Sequence, residues 1–128
     1  PMPGVLELLS SLDDAVPTAV ATNGRRADVE AMLGRVGVAK HMRHLLTIDE
    51  VECGKPEPDL YIRACAAMGH RPSVVVAFED SAVGARAAHD AGCRVVGLGD
   101  EVPDELVVAR ATNLAGVRFD ASRRTFTV

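Results

Sequence analysis

Tryptophan is absent from these 128 residues, and one tyrosine with three phenylalanines leaves aromatics at 3% of the chain. A core of this composition has to be packed with Val, Leu, Ala and Met. Cysteine is sparse as well. Cys53, Cys65 and Cys93 are an odd number without metal-ligand spacing, which argues against a disulfide framework and for reduced thiols in a cytoplasmic protein. No apolar run approaches the ~20 residues of a membrane span, and no signal-peptide pattern opens the chain. Positive charge is short too: the net charge is -4, and Arg25-Arg26 and Arg123-Arg124 are too brief to make a patch for nucleic acid. No Gly-x-Gly-x-x-Gly follows any apolar run, so a dinucleotide site is disfavoured.

What the chain does have is a soluble balance of 48% hydrophobic and 25% charged residues, enough for one domain. Its organising stretch is Val74-Val75-Val76-Ala77-Phe78-Glu79-Asp80-Ser81, an apolar run that stops on two adjacent carboxylates. Such runs read as strands buried on both faces, the kind found in parallel sheets. Ser81 caps a following helix, 82–91, which Gly92 ends. Glu79 and Asp80 therefore lie at the carboxyl end of a strand, where open α/β sheets keep their ligands. Adjacent carboxylates repel unless a cation or basic group lies between them, so the pair suggests a metal site.

The rest of the chain repeats the alternation. Val5, Leu8, Leu9 and Leu12 share one helical face, closed by Asp13-Asp14 and Pro17. Thr18 to Thr22 is a short strand broken at Asn23-Gly24. A second helix presents Val29, Met32, Leu33 and Val36 and stops at Gly37. Leu45 to Ile48 is a third apolar run, and residues 49–58 form a polar loop. Pro58 opens a helix with Leu60, Ala64, Ala67 and Met68 as its buried stripe. Arg94 to Leu98 is a further strand. Residues 103–110 suit a short helix, and 117–119 can pair with 125–128 around Ser122-Arg123-Arg124. The spacing predicts an α/β fold with a Rossmann-like parallel sheet and helices on both faces. Residues 1–100 form the core domain, and 101–128 extend the same domain.

Three polar clusters follow strands or fill the loop between them. Thr22-Asn23 offers a hydroxyl, an amide and backbone N–H groups suited to phosphate oxygens. Lys55, in Gly54-Lys55-Pro56, offers a positive charge. Glu79-Asp80 offers hard oxygen ligands for Mg²⁺. Each alone has an ordinary reading as a cap, a solvated lysine or a turn. Together, in order along one sheet edge, they are the parts that phosphoryl transfer requires. His41-x-x-His44 lacks a third ligand nearby and reads as surface loop.

In this order and spacing the chain resembles the haloacid dehalogenase-like (HAD) hydrolases, in the phosphoglycolate phosphatase and β-phosphoglucomutase branch. The resemblance runs from Pro3 to about Gly99. It is carried by Pro3-Gly4-Val5 with Leu8-Leu9, Ala21-Thr22-Asn23, Gly54-Lys55-Pro56 with Pro58-Asp59, and Phe78-Glu79-Asp80-Ser81 with Gly84, Ala87-Ala88 and Ala91-Gly92. It implies that Thr22 and Asn23 bind the transferring phosphoryl group. Lys55 would bridge that group and a nucleophilic carboxylate. Asp80 would ligate Mg²⁺, with Glu79 acting through water or on Lys55. The implied activity is hydrolysis of a small phosphorylated metabolite; a phosphomutase of the same family, or a non-catalytic α/β module binding phosphate or a partner, are the alternatives.

The resemblance also shows what is missing. The family's nucleophile is the first aspartate of an Asp-x-Asp on a central first strand, and no Asp-x-Asp occurs in this chain. The cap domain, which carries much of the branch's specificity, has no counterpart here either. The expectation is a carboxyl-terminal part of a core domain, inactive alone, whose sheet is completed by an amino-terminal segment or by a second chain. Without that strand, the flanking strands face a gap with unpaired edges.

Overall fold

The computed structural model describes residues 2–12, 14 and 16–128. Pro1 and Asp13, the latter half of the expected Asp13-Asp14 helix stop, lie outside the described residues. Helix α1 (Val5–Ser11) buries Leu8 and lays Val5 and Leu9 against Val29, Leu33 and Val38. Strand β1 (Ala19–Ala21) leads into α2 (Arg26–Arg35), and β2 (His44–Leu46) pairs with β1 in parallel. Helix α3 (Asp59–Met68) follows the polar loop. Then come β3 (Val76–Glu79), α4 (Ala82–Ala91) and β4 (Arg94–Leu98). Strand β5 (Ala109–Ala111) extends the second ribbon in the order β3-β4-β5, all parallel. An antiparallel hairpin of β6 (Arg118–Asp120) and β7 (Thr125–Thr127) closes the chain.

Helices cover both faces. Tyr61 and Cys65 of α3 pack with Ala85, Ala87 and Ala88 of α4 against Ala77 and Val95. On the other face α1 and α2 cover β1 and β2, and Phe126 of β7 meets Phe78 of β3 edge-on, with ring centroids 5.4 Å apart. Ser81 caps α4 by accepting the Gly84 N–H at 3.1 Å, and Gly92 ends it in the left-handed conformation at φ 97°, where glycine carries no Cβ penalty.

The parallel sheet is interrupted. Among the described residues no backbone ladder joins β1 to β3. Between them lies a cleft of about 930 Å³, lined by Ala19, Val20 and Ala21 on one side and Val76, Ala77 and Phe78 on the other. This is the gap expected for an absent central strand. It also explains why the Val-rich run is less buried than it reads: Val76 and Phe78 are half-buried, while Ala77 and Glu79, facing α3 and α4, are buried.

Several local expectations need correction. Val74 belongs to a 3-10 turn before β3 and is 54% exposed. Met32 and Ala67 face solvent, while Tyr61 and Cys65 join the expected Leu60 and Ala64 on the buried face of α3. Helix α3 straddles the two ribbons: it lies against β1 and β2 and packs Tyr61 and Cys65 with Ala77 of β3. Ile48 begins a 3-10 turn instead of continuing β2, because Thr47 and Glu50 form a reciprocal capping box. Residues 103–110 are not a helix: a 3-10 turn (Asp104–Leu106) buries Leu106 and delivers β5 to the edge of β4. Arg110 fixes that path by donating to the Gly99 and Val102 carbonyl oxygens at 2.5 and 2.6 Å.

Candidate active site

Three segments meet at the carboxyl edge of the strands. Thr22 leaves β1 with its N–H on the Leu46 carbonyl at 3.0 Å. Its Oγ1 accepts the Gly24 N–H at 3.0 Å, which leaves the hydroxyl proton free to donate. Asn23 does something the sequence did not suggest. Its side-chain amide donates to the Lys55 carbonyl at 3.1 Å and its Oδ1 accepts the Lys55 N–H at 2.7 Å. The amide thus fastens the Lys55 loop to the end of β1, across 32 residues of sequence. Gly54 permits the approach: a Cβ there would lie 2.4 Å from Asn23 Oδ1. Lys55-Pro56 is a cis peptide.

A second network holds the start of the same loop. Arg26 donates from Nε to Glu50 at 2.7 Å and from Nη2 to the Leu45 carbonyl at 2.6 Å, so this guanidinium is structural and not a free anion receptor. Glu50 in turn accepts the Thr47 N–H and hydroxyl at 2.5 and 2.6 Å. Chiefly through the Thr47 hydroxyl, and with Arg26 adding to it, the Glu50 carboxyl is held down at about 2.

The side chain of Lys55 reaches inward to Glu79. Its Nζ donates to Glu79 Oε1 at 2.6 Å, and the two side chains are 12% and 9% exposed. Such burial makes this pair stronger and costlier to break than a surface ion pair. The same Oε1 accepts the Tyr61 hydroxyl, and the Lys55 ammonium stands 5.2 Å from the Tyr61 ring centroid. Burial, followed by the neighbouring Glu79 charge, pushes the Tyr61 phenol well above its ordinary value. The floor of the carboxylate is Gly84 in the first turn of α4, where a Cβ would come within 2.1 Å of Glu79 Oε2. Tyr61 and the Gly84 contact carry little sequence signal. Tyr61 follows Leu60 as one more apolar helix residue, and Gly84, one of the residues that carry the family resemblance, gives no sign in sequence of its contact with Glu79.

Asp80 is exposed and, among the described residues, makes no hydrogen bond or ion pair. It is the carboxylate of the adjacent pair left open, since Glu79 is taken by Lys55 and Tyr61. Among the described residues no three His, Cys, Asp or Glu side chains gather as a metal site. One open carboxylate nevertheless suits Mg²⁺, which binds through one or two carboxylates and completes its shell with water and substrate phosphate. Asp14 is exposed and lies 3.6 Å from Arg43; it has no place at this edge. Cys53 is exposed, and Cys65 and Cys93 are buried thiols 3.7 Å apart.

Comparison with known proteins gives a consistent picture. Residues 1–92 match the haloacid dehalogenase-like hydrolase family. The chain is 41% identical over 96 residues to validoxylamine A 7'-phosphate phosphatase of Streptomyces hygroscopicus subsp. limoneus, covering 74% of this chain and 45% of that protein. It is 32% identical over 96 residues to fructose-1-phosphate phosphatase YqaB of Escherichia coli K12, covering 75% and 50%. The crystal structure of CbbY from Rhodobacter sphaeroides in complex with phosphate superposes with a TM-score of 0.79 at 30% identity, covering 89% of this chain and 54% of that one. The chain spans about half the length of the curated relatives it matches.

Proposed function

The chain belongs to the haloacid dehalogenase-like hydrolases, and we propose that it supplies most of the core domain of a Mg²⁺-dependent phosphatase acting on a small phosphorylated metabolite. The observation that carries this reading is the Lys55–Glu79 ion pair at 2.6 Å, which lines the open inter-strand cleft and is followed directly by the exposed Asp80. Lys55 provides a charge fixed in place on both its backbone and its tip. The Thr22 hydroxyl donates to a phosphoryl oxygen, and the Asn23 amide keeps Lys55 in reach. Asp80 holds Mg²⁺, and Glu79 acts on Lys55 or through water. When bound, the cation neutralises charge on the transferring phosphoryl group.

The attacking carboxylate comes from outside these 128 residues, on a strand that fills the cleft between β1 and β3. Unpaired strand edges are templates for another strand, and the share of each relative left unmatched is long enough to contain one. Residues 1–100 then carry the site. Residues 101–128 extend the same domain, in keeping with β5 pairing on β4 and Phe126 packing on Phe78. The free thiols suit a reducing, cytoplasmic setting. Hydrolysis is favoured over isomerisation because the relatives of 41% and 32% identity are named phosphatases.

The test is steady-state release of inorganic phosphate from a panel of sugar and polyol phosphates by the full-length protein. Mg²⁺-dependent turnover that Asp80→Asn abolishes is expected. A full-length protein that binds phosphate esters without turning any over would establish the binding-module alternative instead.

A further inference from the structure

We propose that the Tyr61 hydroxyl is a positioning group for the phosphoryl-transfer site, acting through Glu79 to fix the Lys55 ammonium. The inference rests on the phosphatase reading and names a residue that the motifs do not include. A lysine ammonium on its four-carbon stem is ordinarily mobile and solvated, yet here the side chain is only 12% exposed. Among the described residues its tip has one acceptor, Glu79 Oε1. How well Lys55 is fixed therefore depends on how well Glu79 is fixed. Gly84 beneath the carboxylate limits its approach to α4 but donates nothing to it. The remaining anchor is Tyr61, whose hydroxyl donates to the same Oε1. Tyr61 is itself 8% exposed and sits in the first turn of α3, so the donor is held by a rigid element packed in the core. Removing the hydroxyl leaves one donor on Oε1. Carboxylate and ammonium then rotate together away from the phosphoryl position, and displacements of about 1 Å at such groups cost up to ~100-fold in rate.

Tyr61→Phe keeps the ring under the ammonium and deletes only the oxygen. In the full-length protein with Mg²⁺ and p-nitrophenyl phosphate, kcat should fall about tenfold while KM stays within about twofold, because the ground state is bound without help from Lys55 placement. The ε-carbon NMR signal of Lys55, assigned with Lys55→Arg, should broaden and move toward that of the exposed Lys40. A purely structural role would lower thermal stability and leave both readouts in place. Unchanged kcat, or an unmoved Lys55 signal, overturns the proposal. If the wild-type protein hydrolyses nothing, the phosphatase reading fails, and the Lys55 signal alone decides the role of Tyr61. Should Tyr61→Phe fail to fold, the ultraviolet band of Tyr61, the single tyrosine of the 128-residue chain, is compared between wild type and Glu79→Gln. A shift upholds the contact, and an identical band overturns it.

Discussion

Adding one methyl group at Gly84 should destabilise the protein, although a helix interior ordinarily gains from it. Gly84 lies in the first turn of α4, and Gly→Ala in a helix is worth about 1 kcal/mol of stabilisation. Here the new Cβ would lie 2.1 Å from Glu79 Oε2 and 2.4 Å from Cδ. A surface glutamate would swing away at no cost. Glu79 is 8% exposed and holds two donors, Lys55 and Tyr61, on one oxygen. Displacing it weakens both bonds, each of a charged kind worth about 1.5–3 kcal/mol. The helix gain offsets part of that, leaving a net loss of about 2–5 kcal/mol. Urea unfolding followed by circular dichroism reads this as a midpoint lowered by roughly 1–2 M at an unchanged slope. Gly34→Ala on α2 is the control, because nothing lies within 4 Å of its added Cβ, and it should raise the midpoint. If Gly84→Ala raises the midpoint as Gly34→Ala does, Glu79 is not clamped and the reasoning about Lys55 fails with it.

Glu50 sets an acid limit. Its folded pKa is lowered from 4.5 to about 2, so its stabilisation is complete above about pH 4.5 and disappears as pH falls toward 2. Glu50→Gln should flatten acid unfolding in that window, by about 1–3 kcal/mol and toward the lower figure because its Arg26 partner is exposed. Asn23→Ala should leave the overall fold intact but release the Lys55 loop, seen as faster amide exchange at residues 53–57 and a fall of kcat for phosphate esters in the full-length protein. Of the three thiols only exposed Cys53 should react with a disulfide reagent at pH 8. Burial raises Cys65 and pushes Cys93 up to about 12, so two further equivalents should appear only on unfolding.

The alternation of strands and helices was legible because apolar periodicity and the Gly and Ser caps agree along most of the chain. Ser81 and Gly92 bound α4 as their chemistry requires. The interrupted sheet was legible for a different reason: an expected motif was absent, and its absence had a definite place between β1 and β3. Residues 103–110 misled because their apolar spacing suits a helix, while the observed path depends on Arg110 tying two remote carbonyls. At the candidate site, local sequence named Lys55, Glu79 and Asp80 as candidates, and the structure pairs Lys55 with Glu79 and leaves Asp80 exposed. Asn23 on the Lys55 backbone, and Tyr61 on Glu79, could not. Both are long-range bonds, 32 and 18 residues apart, fixed by how α3 spans the two ribbons and not by any local pattern.

The central claim is that these residues form a phosphatase site waiting for an attacking carboxylate on an inserted strand. The most direct measurement is p-nitrophenyl phosphate hydrolysis with Mg²⁺ by the 128-residue chain alone and by the full-length protein. The account predicts no turnover from the chain alone and Asp80-dependent turnover from the full-length protein. Turnover by the 128 residues alone that Asp80→Asn abolishes would contradict it.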